Sequence, residues 1–288
     1  MKLLLHAGPM KTGSTAFQEL LGVNLSLLEE GGIRFRHLRR QELGDLEAVV
    51  EDEQRRGWPR VLLLSHECLC RADPLRLRAA LHLVPAPAKA VLVARPLREV
   101  YPSLYLQNLK GHVMRTSSYE EFLQEQIERD RRPELAERGQ VFRYSFLEEQ
   151  MQAAGCAVQW VSYARSSLLD DLVAWLAHNA DAAEMLRALK PLPMPSGVSP
   201  RRSLDGTLVE VARLMNERCR AGTLSPEDRD SFLVALLNSS DRIRSQRQGL
   251  GLDSFRENHA DQLDALDHEL NGDFWRQRAM HPTPWDPT

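Results

Sequence analysis

The opening of this chain constrains its fold most tightly. A short apolar run, Lys2 to Ala7, stops at Gly8 and gives way to a glycine-containing turn and then an amphipathic stretch. An apolar run of that length reads as a strand buried on both faces. A helix is expected from about Ser14, because Phe17, Leu20, Leu21, Leu25 and Leu28 fall at i, i+3, i+4, i+8 and i+11, one helical stripe that Gly31-Gly32 terminates. The first unit is therefore strand, loop, helix.

The same alternation continues. Ile33 to Arg36 reads as a second short strand, Gln41 to Arg56 as a polar helix, Val61 to Ser65 as a third strand after Pro59, and Ala90 to Ala94 as a fourth after the Pro85-Ala-Pro87 turn. Tyr119 to Gly155 is helical and charged, Val158 to Tyr163 is one more strand, and Leu168 to Leu189 is one or two helices. Buried strands alternating with helices imply a parallel sheet wound by right-handed crossovers. Pro191 to Ser203, with four prolines and Gly197, cannot be regular structure. Beyond it only helical patterns remain, at Leu204 to Arg220, Pro226 to Leu237 and Phe255 to Leu270. The expected fold is α/β, a three-layer sandwich with a central, mainly parallel β-sheet and a C-terminal helical annex. The chain reads as a single domain, 1–288, with an α/β nucleotide-binding core at 1–190 and a helical cap at 191–288.

The turn itself is His6-Ala-Gly8-Pro-Met-Lys11-Thr12-Gly13-Ser14-Thr15. Between a buried strand and a helix, such a turn aims successive backbone N–H groups and the positive helix end at one spot, which suits an anion. Lys11 adds a full charge, and Thr12, Ser14 and Thr15 add hydroxyl donors. The plain alternative is a glycine turn that merely joins strand to helix, with Lys11 solvated. Gly8 and Gly13 have the glycine spacing of the ATP-type G-x-x-x-x-G-K-[ST] loop, but Ser14 stands where that loop has its lysine. A kinase also needs an acidic strand end to hold magnesium, and Val61 to Ser65 has none.

HAGPMKTGSTAFQ resembles the 5′-phosphosulfate loop of sulfotransferases that use 3′-phosphoadenosine-5′-phosphosulfate (PAPS), which have a P-loop NTPase-like fold. The resemblance implies that Lys11, Thr12, Gly13, Ser14 and Thr15 are cofactor contacts. That family also grips the nucleotide 3′-phosphate with an arginine at a strand end and a serine eight residues on. Val91-Leu-Val-Ala-Arg95 followed by Ser103 matches this arrangement, so Arg95 and Ser103 are implied as cofactor-binding too. Two turns of helix, at about 5.4 Å per turn, can bring such a serine back above the strand end. Pro102 departs from the pattern, since a proline inside the helix removes a backbone bond and can bend it. A strand-end salt bridge for Arg95 and an ordinary helix position for Ser103 are the plain alternatives. Gly155, the strand after it and the helix from Leu168 look like a third block of the bacterial members. The adenosine clamp is left unassigned, with Arg201 and Arg202 as candidates.

By that resemblance the chain is a sulfotransferase passing a sulfuryl group from PAPS to a hydroxyl or amine of a carbohydrate or small natural-product acceptor. A divergent P-loop kinase or NTPase is the alternative. Such transfer needs positioning and charge stabilisation but in principle no metal. Lys11 would neutralise the departing oxygen. The base is expected at the end of the third strand, with Glu67 first and His66 second; the plain alternatives are a helix cap for Glu67 and a packing role for His66.

Composition narrows the partners. The 288 residues carry a net charge of only -3, which implies no bulk attraction to nucleic acid or to an anionic membrane. No run of about 18 apolar residues occurs, so no membrane span is expected, and Met1 to Leu5 is too short for a signal-peptide core. The cytoplasm is the expected compartment. Five lysines among 37 basic residues leave 32 arginines, a bias that suggests a GC-rich bacterial genome. Cys68, Cys70, Cys156 and Cys219 form no zinc-type spacing.

Overall fold

A computed structural model describes residues 1–111, 113–135, 140–164, 167–191, 208–248 and 259–278. In chain order the elements are β1 (Lys2–His6), α1 (Ser14–Val23), α2 (Leu25–Glu30), β2 (Ile33–His37), α3 (Leu46–Arg55), β3 (Val61–Ser65), α4 (Pro74–His82), β4 (Ala88–Ala94), α5 (Leu97–Lys110), α6 (Tyr119–Arg131), α7 (Tyr144–Ala153), β5 (Cys156–Ser162), α8 (Leu168–Ala180), α9 (Ala183–Arg187), α10 (Val209–Arg220), α11 (Pro226–Gln248) and α12 (Ala260–Gln277). Short 3₁₀ turns occur at Arg40–Gly44, Leu69–Arg71 and Pro133–Leu135.

The five strands form one parallel sheet in the order β2-β3-β1-β4-β5. The fold is α/β with a central parallel sheet, as the alternation of apolar runs and helices requires. β1, β3 and β4 read as unbroken apolar runs because they lie inside the sheet: Leu3, Leu4, Leu5, Val61 to Leu64 and Ala90 to Ala94 are all buried. β2 is an edge strand, and Arg34 and Arg36 on it reach the fully buried carboxylate of Glu53 on α3. Phe17 and Leu21 of α1, Leu28 of α2 and Leu168, Leu172, Trp175 and Leu176 of α8 cluster with Leu4, Leu63 and Val91.

The chain forms two compact units. The first holds Met1–Arg95 and the described parts of Ala136–Pro193 and Asn271–Thr288, and with them the whole sheet. The second holds Pro96–Leu135 and the described part of Met194–Leu270. Within the second unit the carbonyl ends of α5 are covered from other helices. Arg229 donates to the carbonyls of Leu109, Lys110 and Gly111, and Asn216 donates to those of Leu109 and Arg115. α5 runs unbroken through Pro102. Among the described residues no helix is long and apolar enough to cross a membrane.

Several element readings change. The helix expected from Ser14 to Gly31 is two helices broken at Asn24, and Leu25, placed on the buried stripe, is exposed. The Asn24 carboxamide donates to the carbonyls of Leu20 and Lys190 and accepts the Lys190 N–H, a long-range clasp that stops the first helix. The polar helix at Gln41 to Arg56 is a 3₁₀ turn followed by α3, which Asp45 caps by accepting from the Ala48 N–H. α11 extends to Gln248 instead of ending at Leu237. Most of the proline-rich stretch Pro191 to Ser203, with Arg201 and Arg202, lies outside the described residues.

Candidate functional site

β1 is the point at which the strand order reverses. Its neighbours are β3 on one side and β4 on the other. In open α/β sheets ligands bind at such a point. The turn from Ala7 to Gly13 and the residue Arg95, which follows β4, both lie there.

The backbone of the turn is shaped by left-handed residues. Gly8 has φ +94, Lys11 +64 and Gly13 +84. At Gly8 a Cβ would come within 1.9 Å of the carbonyl oxygen of Glu67, and at Gly13 within 2.4 Å of Leu168 Cδ2. Conformation favours glycine at both positions, and at Gly8 the approach of a backbone carbonyl requires it as well. Lys11 adopts its positive φ without that licence, a strain typical of ligand-holding turns.

α1 starts directly from this turn. Its N-cap is Gly13, no side chain caps it, and its first turn contains no acidic residue. The hydroxyl of Ser14 is buried with no hydrogen-bond partner among the described residues. A ten-residue helix that begins with uncapped N–H groups and a buried, unanswered hydroxyl is built to receive an acceptor. Thr12 differs from the sequence expectation: its side chain is fully buried and its hydroxyl donates to the Pro9 carbonyl at 2.6 Å. Its single proton is committed to holding the turn. Thr15 is exposed at the helix start.

Arg95 is turned toward the turn. Its Nη1 donates to the Lys11 carbonyl, and its guanidinium lies 4.2 Å from the centre of the Tyr163 ring. Tyr163 also flanks Gly13, since a Cβ there would stand 3.6 Å from its ring. The Arg95 backbone is fixed from the opposite side, because Tyr144 accepts from the Arg95 N–H and donates to the Arg95 carbonyl. Tyr144 is itself held among Trp160, Phe274 and Trp275.

No family model and no curated protein matches the sequence. Solved structures similar to it include two sulfotransferases. One is a sulfotransferase from Alicyclobacillus acidocaldarius, 15% identical, covering 80% of this chain and 99% of that one at a TM-score of 0.42. The other is mouse sulfotransferase SULT7A1 complexed with PAP, 14% identical, covering 86% of this chain and 88% of that one at a TM-score of 0.39.

Glu67 and His66 sit in the turn after β3. Burial pushes the Glu67 carboxyl above its ordinary range, and the nearby Lys11 charge opposes that rise. Burial likewise lowers Lys11; the Glu67 charge works against that shift and the Arg95 charge adds to it. Lys11 and Glu67 are therefore electrostatic partners beside the turn. His66 is lowered by burial and then by the charges of His37 and Arg40. Its Nδ1 accepts from the Cys68 N–H at 2.9 Å, so this imidazole organises its own turn. Glu67 caps nothing there: the 3₁₀ turn that follows has Cys68 at its start and no side-chain cap.

Of the residues singled out in the sequence, Lys11, Thr12, Gly13, Ser14, Thr15, Glu67, His66 and Arg95 lie at the carboxyl edge of the first unit's sheet. Ser103 is half-buried on α5, in the second unit. Sequence reasoning missed Tyr163, Tyr144 and His6. Tyr163 had one available signal, its place at a parallel strand's carboxyl end.

Proposed function

We propose that the chain is a sulfotransferase that takes a sulfuryl group from PAPS and passes it to a hydroxyl or amine of a carbohydrate or small natural product. One observation carries this reading: an uncapped helix start with a buried, unpartnered Ser14 hydroxyl, in a turn where Lys11, rather than a helix-start lysine, supplies the charge. A triphosphate loop would place its lysine at Ser14 and an acidic residue at the end of β3, where Ser65 stands.

In this reading the backbone N–H groups of Gly13, Ser14 and Thr15 and the Ser14 hydroxyl receive the 5′-phosphosulfate. Thr12 shapes the turn through Pro9. Lys11 offsets the negative charge that grows on the bridging oxygen as the sulfur–oxygen bond to phosphate breaks. Glu67 accepts the proton of the acceptor as the new bond to sulfur forms, leaving adenosine 3′,5′-bisphosphate. Its raised affinity for protons suits that task, whereas the His66 Nδ1 lone pair is already engaged by Cys68. Arg95 holds the 3′-phosphate, steadied by Tyr144 and Tyr163. No metal is assigned a part, because Lys11, Arg95 and the helix N–H groups meet the donor's charge.

Calorimetry with adenosine 3′,5′-bisphosphate in the absence of divalent metal tests the reading, followed by mass spectrometry of an acceptor panel for an added sulfuryl group. Binding of the bisphosphate is expected. Preference for magnesium-ATP, or no binding at micromolar protein, would overturn the reading.

A further inference from the structure

His6, the last residue of β1, is a histidine with no access to solvent, directly before the turn. Its Nδ1 lies 2.8 Å from the hydroxyl of Ser65, the last residue of β3 and its register partner in the sheet. The same hydroxyl accepts from Gln18 Nε2 on α1 at 3.0 Å. The His6 ring meets the edge of Phe17, also on α1, at 5.1 Å between ring centres. One side-chain cluster thus joins the ends of β1 and β3 to the second turn of α1, the three elements that bracket the turn.

A serine hydroxyl has one proton and two lone pairs, and a glutamine amide nitrogen can only donate. Gln18 therefore donates to Ser65, and Ser65 can still either donate to His6 Nδ1 or accept from it, according to the imidazole tautomer. The ring's other nitrogen, Nε2, is buried with no hydrogen-bond partner among the described residues. Burial, followed by the charge of His37, disfavours a second proton on this ring.

The backbone continues the same joint. The His66 N–H donates to the His6 carbonyl, and the Cys70 N–H donates to the Ala7 carbonyl, both next to the close approach of Gly8 and Glu67. Where Glu67 stands relative to Lys11 is therefore decided by how the end of β3 is seated on the end of β1. The seat is the Ser65 to His6 contact.

We propose that His6, Ser65 and Gln18 form a positioning network that seats the Ser65-His66-Glu67 turn on the opening of the anion-binding turn and so pre-orders that turn for its ligand. None of the three touches the ligand; they act through the two turns. The inference builds on the nucleotide-binding reading above, yet its first test does not depend on it.

That first test is nitrogen NMR of the histidine side chains at neutral pH. His6 is expected as a neutral imidazole, and Ser65→Ala is expected to change its Nδ1 shift. A charged His6 ring, or shifts indifferent to Ser65→Ala, would overturn the network whatever the chain binds. The second test is calorimetry with adenosine 3′,5′-bisphosphate. Ser65→Ala and His6→Leu should each weaken binding about tenfold, and the double variant should be no weaker than the poorer single one. His6→Asn, whose carboxamide can still meet the Ser65 hydroxyl, should recover most of the loss, which a role in filling space alone would not produce. Wild-type affinity in the single variants, or losses that multiply in the double variant, would refute the proposal. Gln18→Met, a change at a half-buried position, serves the same comparison if His6→Leu does not fold. A wild-type protein that binds no bisphosphate while its His6 is neutral and responds to Ser65→Ala would sink the nucleotide reading and leave the network standing.

Discussion

Acid should destabilise this protein through His6 by an amount the structure allows one to work out. Burial, assisted by the His37 charge, lowers the His6 imidazole from its ordinary value of 6.5 to about 4. Above pH 6.5 the ring is neutral in both the folded and the unfolded chain, and it contributes no pH dependence. Between pH 6.5 and 4 the unfolded chain binds a proton that the folded chain refuses, so unfolding becomes easier as the pH falls. The gap of about 2.5 pH units, at about 1.36 kcal/mol per unit, amounts to a loss of about 3 kcal/mol, complete once the pH has passed below 4. That is a large part of the ~5–15 kcal/mol by which domains are stable. Carboxylates and His66 titrate over the same range, so the decisive quantity is a difference: urea unfolding by tryptophan fluorescence across pH 7 to 4, for the wild type and for His6→Asn. The variant starts from its own stability at pH 7, and only the change with pH matters. The wild type should lose about 3 kcal/mol more than the variant over this range. Parallel losses would show that His6 is not the buried neutral base described here.

Two further outcomes follow from the turn. Gly8 and Gly155 have nearly the same backbone, φ +94 and +93, but only Gly8 faces a backbone carbonyl where a Cβ would go; Gly155→Ala should therefore cost about 1–2 kcal/mol by denaturation and Gly8→Ala distinctly more, with loss of bisphosphate binding, and equal costs would remove the Glu67 contact from the account. Lys11→Ala should abolish sulfuryl transfer while Arg95→Ala mainly weakens bisphosphate binding; transfer at the wild-type rate in the Lys11 variant would take Lys11 out of the mechanism.

What the sequence displays and what it hides divide by distance along the chain. The strand, turn and helix at the start are legible because every interaction that makes them is local: an apolar run, two glycines at positions needing positive φ, and a stripe from Phe17 to Leu21. The break at Asn24 is not legible, because Lys190, 166 residues away, makes the bonds that stop the helix there. β5 is visible as an apolar stretch, yet its start at Cys156 instead of Val158 is fixed by pairing with Ala88 on β4.

The site follows the same rule at higher stakes. Lys11 and Arg95 could each be picked out from neighbours in sequence, but that the guanidinium of one would hold the carbonyl of the other depends on β1 and β4 being adjacent, which no local pattern states. Tyr144 and Tyr163 reach Arg95 from elements that follow it by 49 and 68 residues, and His6 meets Ser65 only because the two strands end in register. A strand-to-helix turn of this kind is therefore specified twice, once by a short motif that sets its backbone and once by parallel strand order that brings supports to it from behind. The second specification is the one that substitution of a distant tyrosine or histidine would disturb without touching the motif at all.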